Sequence, residues 1–255
     1  SDPETIYTFS SKAIGTASTT RRVYVGVAVQ IGSASDSSLV SVTVGGVSTA
    51  KLANVNINVE NHMWIVSAIV PTGTTADIVV TFNTTAVNCG IGVWVSSNST
   101  SSISDSATHV ATDPVTNTID VPANGWGVGW VYHAEGPGTW TGLDEDFDST
   151  GADLREISGA SKDFTAAQSG LTVTYDGSAT VTSGLIIFSV GPTGDNSYTS
   201  SGLAAADQVV DTPTNNFPTI MRNTSLATMT EGNLEIASVA SVTWHIVPCT
   251  LRLPT

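Results

Sequence analysis

The segment "RRVYVGVAVQI", residues 21–31, sets the reading of the whole chain. Val23, Val25, Val27 and Val29 recur at every second position. In an extended chain successive side chains point to opposite sides, so these four valines share one face of a strand. Outward from it the same pattern returns. "SSLVSVTVGGVSTAKL" (37–52) puts Val40, Val42 and Val44 on one face, turns at Gly45-Gly46, and restarts at Val47. "MWIVSAIVPTG" (63–73) is a more continuous apolar run ended by a Pro-Thr-Gly turn, and "ADIVVTFN" (76–83) and "CGIGVWVSS" (89–97) follow as two further strands. Gly90 and Gly92, alternating with Ile91, Val93 and Val95, predict close approach of another strand or backbone.

The second half keeps this style. "NGWGVGWVYH" (124–133) follows a turn at Pro122–Gly125 and places Trp126, Val128, Trp130 and Tyr132 on one face, with Gly125, Gly127, Gly129 and Val131 on the other. "LTVTYDGSATVTSGLIIFSVGP" (171–192) reads as two strands around an Asp-Gly turn. Helix signals are confined to a turn or two in "GADLREISGA" (151–160) and "GLAAADQVV" (202–210). Many short strands with Gly, Pro and Asn turns between them predict an all-β antiparallel sandwich of jelly-roll type. Residues 1–192 form that domain, and 193–255 form a linker and an extended C-terminal arm. Val25, Val42, Ile65, Val79, Val93, Val128 and Ile187 are the predicted core.

Of 255 residues only 12 % are charged, and 22 acids stand against 8 Lys and Arg, a net charge of −14. Such a surface repels phosphate, so neither nucleic acid nor an anionic membrane surface is an expected partner. No apolar run approaches the ~20 residues of a membrane-spanning helix, and "SDPETIYTF" at the start has no basic or apolar leader region. Two cysteines, Cys89 and Cys249, cannot make a thiolate zinc cage. They are read as two free thiols or as one bridge.

The run of "SVTVGGV" (41–47) into "VPTGTTADIVVTF" (70–82), followed by "GIGVWVSS", "DVPANGWGVGWVYHAE" and "SGLIIFSVGP", resembles a β-sandwich domain of bacteriophage structural proteins and bacterial surface proteins. The likeness spans residues 6 to 192 and rests on turns and alternating strands. "DTPTNNFPTI" (211–220) followed by "MTEGNLEIAS" (229–238) is similar to the segment that opens a SPRY-like sandwich in phage tail fibres. The chain stops at Thr255, before the next strand of that pattern, so a complete SPRY-like fold is not expected. The resemblance implies a non-enzymatic virion structural protein, either a tail-fibre or appendage component or a capsid decoration protein, acting in assembly and host-surface contact. The competing readings are a carbohydrate-binding or adhesive module of a bacterial surface protein and, behind it, a glycan depolymerase. The expected partners are further copies of the chain, other virion proteins and a host-surface glycan.

Candidate chemistry is sparse. Asp144, Asp146 and Asp148 in "DEDFD" have the spacing that begins a calcium loop, but Ser149 stands where glycine is needed and Arg155 where the bidentate acid belongs. The alternative is a solvated acidic loop, with no cofactor. Trp126, Trp130 and Trp140 are read either as a stacking platform for sugar or as core. His62, His109, His133 and His245 show no ligand spacing. No nucleophile elbow or metalloprotease motif is present, so no catalytic residue is assigned. In the arm, Leu234, Ile236, Val242, Trp244, Ile246 and Leu251 lie on two strand-like pieces whose open edge suits pairing with a sheet, its own or a neighbour's.

Overall fold

The computed structural model describes residues 4–31, 39–97, 103–133, 137–150, 156–177, 181–191 and 196–205. All regular structure among them is β-strand: β1 (Glu4–Ala13), β2 (Arg22–Ile31), β3 (Leu39–Val44), β4 (Val47–Ser48), β5 (Ala50–Asn56), β6 (Asn61–Ile69), β7 (Thr75–Ser96), β8 (Asp105–Thr112), β9 (Val115–Val121), β10 (Gly125–His133), β11 (Thr139–Thr141), β12 (Asp144–Thr150), β13 (Glu156–Phe164), β14 (Gln168–Asp176), β15 (Thr182–Val190) and β16 (Asn196–Ala205). Every pairing is antiparallel. The described residues thus form an all-β antiparallel sandwich. The short helical turns expected at 151–160 and 202–210 are strand wherever they are described, in β13 and β16.

The two strands expected at 76–83 and 89–97 are one. β7 runs unbroken for 22 residues through one eight-stranded sheet that folds over on itself. Its first half pairs with β1 and β3, and its second half pairs with β2 and β16. The resulting halves, β1-β7-β3-β4 and β16-β7-β2-β6-β5, face each other over a core of Phe9, Val23, Val25, Val27, Val29, Val42, Ile78, Val80, Phe82, Ile91 and Val93. The back of the second half is covered by the five-stranded sheet β12-β13-β10-β15-β8, and the back of that sheet by the three-stranded sheet β11-β14-β9. Four layers therefore enclose three cores.

This order explains the sequence pattern. The outer half of β7 alternates buried and open positions, whereas its inner half, β6, β10 and β15 are buried along nearly their whole length. A strand covered on both faces needs apolar or small residues at every position, not at alternate ones. Six of the seven predicted core residues are buried, shared among the cores: Val25, Val42 and Val93 in the first, Ile65 and Val128 in the second, Ile187 in the third. Val79 is the exception. Ile78, Val80 and Phe82 take the inward positions of β7, and Val79 is left on the outer side, half-buried. Val40 also departs from expectation, at 60 % exposure. A register shift between Leu39 and Ser41 turns it away from the face that Val42 and Val44 share.

The middle layers interlock through rings and glycines. Gly26 of β2 sits directly opposite Gly92 of β7. Trp130, from β10, lies on this bare floor. A Cβ at Gly26 would come within 2.8 Å of Trp130 Cδ2, and one at Gly92 within 3.0 Å of Trp130 Cζ3. On the other side of β10, Gly127 and Gly129 leave room for Leu143 and the Trp140 ring. The lower end of the first core is held by Arg21, which is fully buried. Its guanidinium donates to the carbonyls of Val70 (2.8 Å), Gly15 (2.8 Å), Gly73 (2.8 Å) and Thr72 (2.6 Å), clamping the Pro-Thr-Gly turn after β6.

Candidate functional site

Burial decides how the tryptophans are read. Trp126 and Trp130 are about 1 % and 0 % exposed, inside the second core. Trp140 points the other way, into the third core, against Tyr175 at 5.2 Å between ring centroids, with its Nε1–H donated to Ser158 Oγ at 2.7 Å. The three rings lie on opposite faces of one sheet and share no open surface. The stacking platform is therefore corrected to core. Alternation put Trp126 and Trp130 on one face correctly; what it could not show is that a second sheet covers that face.

The acidic stretch is also not a loop. Asp144 to Thr150 form β12, an edge strand paired with β13. A register shift between Glu145 and Phe147 breaks the alternation, so the three aspartates diverge. Asp144 bonds Lys162 at 3.2 Å on the surface. Asp146 turns toward the second core and accepts Trp94 Nε1–H at 2.9 Å, beside Ser161. Burial pushes its carboxyl up to about 6, against the lowering effect of those two hydrogen bonds. Asp148 interacts with Ser158 and the Gly138 backbone. The three carboxylates are not brought together, and no group of three or more His, Cys, Asp or Glu able to hold a metal occurs among the described residues. Phe147, between the last two aspartates, stacks on Tyr198 of β16 at 4.8 Å and packs on Trp94.

A buried polar cluster lies between the third and fourth layers and was not anticipated. His133, the last residue of β10, is 1 % exposed, and Glu156, opposite it on β13, is fully buried. Tyr175 of β14 reaches His133 Nε2 at 2.6 Å, and Glu156 Oε2 lies 3.8 Å from the same nitrogen. Asp113, between β8 and β9, closes the group together with Ser183. Gly177 sits between Asp113 and His133: a Cβ there would collide with the Asp113 carboxylate and lie 3.6 Å from His133 Nδ1. Burial drives His133 down to about 4, because it penalises the charged imidazolium. Burial also raises Asp113 and Asp148, and raises Tyr175 further with help from the surrounding carboxylates. Tyr175 therefore stays protonated, and its hydroxyl and His133 Nε2 share one hydrogen bond whose donor depends on the imidazole tautomer. Nδ1 has no hydrogen-bond partner among the described residues. No spacing rule could have found this cluster, since its members come from four separate strands and a turn.

The remaining sequence candidates have local roles. His62 Nδ1 pairs with Asn56 Oδ1 at 2.9 Å and stacks on Trp64, and His109 Nδ1 meets the Thr116 carbonyl at 2.6 Å. Cys89 is a buried free thiol whose ionisation burial suppresses. In a shallow groove at the opposite end of the outer sheet, the Asp105 and Asp120 carboxylates accept backbone N–H groups of Asp120 (2.8 Å) and Gly170 (2.6 Å), which ties β8, β9 and β14 together. Cys249, His245 and the arm residues Leu234, Ile236, Val242, Trp244, Ile246 and Leu251 lie outside the described residues. No known protein family, curated protein or solved structure matches the chain.

Proposed function

We propose that the chain is a non-enzymatic structural module of a virion, a tail-fibre or appendage component or a capsid decoration protein, working in assembly and host-surface contact. The sequence likeness to phage β-sandwich domains suggests it. The observation that carries the reading is the sealing of the interior. Aromatic and titratable side chains that would build an active site or a sugar platform on the surface are spent between sheets, as Trp126, Trp130, His133 and Glu156 are. The same polar groups tie layers together, as Asp146 does with Trp94 and Arg21 with the turn at 70–73. A stack of this kind resists loosening, as a particle component must. The arm, through Leu234, Ile236, Val242, Trp244, Ile246 and Leu251, would add subunit contacts by strand pairing.

The test is immunogold electron microscopy of particles from the source of the gene, using antibody raised against the full chain. Label at a fixed place on the particle, with mass spectrometry finding the chain in the purified particles, is the expected result. Particles that carry neither label nor peptide overturn the reading. The adhesive alternative makes a different prediction: specific retention of the chain on a glycan array in the absence of any particle.

A further inference from the structure

The turn Pro122-Ala123-Asn124-Gly125 carries the chain from β9 of the three-stranded sheet to β10 of the five-stranded one. It holds the only Asn-Gly pair in the 255 residues. Asn124 is exposed and sits at a φ of +55°, while Ala123 is outside the left-handed region, so the turn is of type II. It is closed by the Gly125 N–H, which donates to the Pro122 carbonyl at 2.9 Å. The Asn124 side-chain amide has no hydrogen-bond partner among the described residues, whereas those of Asn56, Asn58, Asn61, Asn88, Asn117 and Asn196 are engaged. Each of those six precedes a residue whose side chain shields the next backbone nitrogen; Asn124 precedes a residue with no Cβ. We propose that Asn124 is a self-modification site: it deamidates by attack of the Gly125 backbone nitrogen, at a rate set by opening of the turn.

Hydroxide removes the Gly125 amide proton, and the nitrogen adds to Asn124 Cγ. The side-chain nitrogen leaves as ammonia, and a five-membered imide closes between Cγ and the main chain. Water then opens the imide, at Cγ to give aspartate or at the main-chain carbonyl to give isoaspartate. Nothing is oxidised or reduced, and hydroxide and water are the only co-reactants. Each conversion adds a negative charge at the tip of the turn, and the isoaspartyl product also adds one carbon to the main chain between β9 and β10. In the closed turn the Gly125 N–H is committed to Pro122. The reacting state is therefore the turn with that bond broken. Reaching it is a local event, since the other backbone bond at the tip, from Asn124 N–H to the Thr165 carbonyl, is long at 3.3 Å.

Two variants move the turn in opposite directions without touching the reacting atoms. Pro122→Gly keeps the accepting carbonyl but frees the φ that aims it at Gly125. Ala123→Pro puts proline at the first central position of a type II turn, where its fixed φ holds the turn closed. The full chain and both variants are aged at pH 8.5 and 37 °C, with the full chain in urea as the open reference. Peptide mapping that separates aspartyl from isoaspartyl products reads each asparagine. In the folded chain Asn124 should convert ahead of every other described asparagine and give both products. P122G should convert severalfold faster than wild type, and A123P severalfold slower. Earlier conversion at another described asparagine overturns the site. So does an intact Asn124 in the folded chain once the chain in urea has converted there. Equal rates in wild type and the variants overturn the control by the turn. If P122G does not fold, A123P decides, and a rate equal to wild type still overturns that control.

Discussion

Replacing Gly26 by alanine tests how the second and third layers are joined. Gly26 is not in the left-handed region, so alanine adds no backbone strain. The whole effect comes from one methyl group placed within 2.8 Å of Trp130 Cδ2 and 2.9 Å of Cε2. The ring cannot slide away. It is fully buried, with Gly92 beneath it and Trp94 and Phe147 at its edges, 5.8 and 6.1 Å away between centroids. Overpacking of this kind costs about 1–3 kcal/mol. For a protein of this size each kcal/mol lowers the melting temperature by about 2–4 °C, so calorimetry should show a drop of about 2–12 °C. Trp130→Leu alone costs about 2–4 kcal/mol through lost burial and a residual cavity. The two substitutions share the same space, and the methyl group added at position 26 enters room that the indole has vacated. The double variant should therefore be less destabilised than the sum of the singles by about 1 kcal/mol or more in urea unfolding. Additive effects, or a G26A protein as stable as wild type, would refute the interlock.

Further expectations concern the polar groups. Asp146 has its folded value raised from 3.8 to about 6, so the folded state takes up a proton in that window and its stability falls as pH rises through it. The full span corresponds to about 3 kcal/mol. Asp146→Asn keeps an acceptor for Trp94 and should remove the dependence while raising stability at pH 8; urea midpoints at pH 4 and pH 8 check both. Arg21→Met strands the carbonyls of Gly15, Val70, Thr72 and Gly73 and should cost about 3 kcal/mol or more. Limited proteolysis should then cut the turn at 70–73, and Arg21→Lys should restore resistance only in part. Because Asp144, Asp146 and Asp148 engage separate partners, millimolar calcium should leave the melting temperature within about 1 °C; a larger calcium-dependent rise, reversed by chelator, would mean that they converge on the ion.

Local pattern carried far in this chain. The alternation of Val23 to Val29, the Gly45-Gly46 turn and the two-faced "GWGVGW" all reappear as drawn from sequence, because period-two alternation and glycine turns are set within a few residues. What alternation cannot supply is the identity of the covering sheet. Trp126 and Trp130 present the same pattern whether they face solvent, sugar or another layer. The glycines opposite them, Gly26 and Gly92, held the missing information, since a bare floor implies a large knob from elsewhere. The join of two strands into β7 was hidden by Asn83, Thr84 and Thr85, which read as a break, whereas the strand runs on from its β1 and β3 partners to its β2 and β16 partners. At Asp146 a single register shift undid an i, i+2, i+4 pattern, and no feature of "DEDFD" marks where the shift falls. The His133–Tyr175–Glu156 group is a product of tertiary packing alone.

The most direct test of the sealed four-layer stack is hydroxyl-radical footprinting of the native full chain, with oxidation read residue by residue. Trp94, Trp126 and Trp130 are all at or near zero exposure. The account predicts that these three rings are oxidised far more slowly in the folded chain than in urea, while exposed Ile6 and Val59 react at similar rates in both. Rapid oxidation of Trp126 and Trp130 in the native chain would place them on an open face, and both the layer order and the structural reading built on it would be wrong.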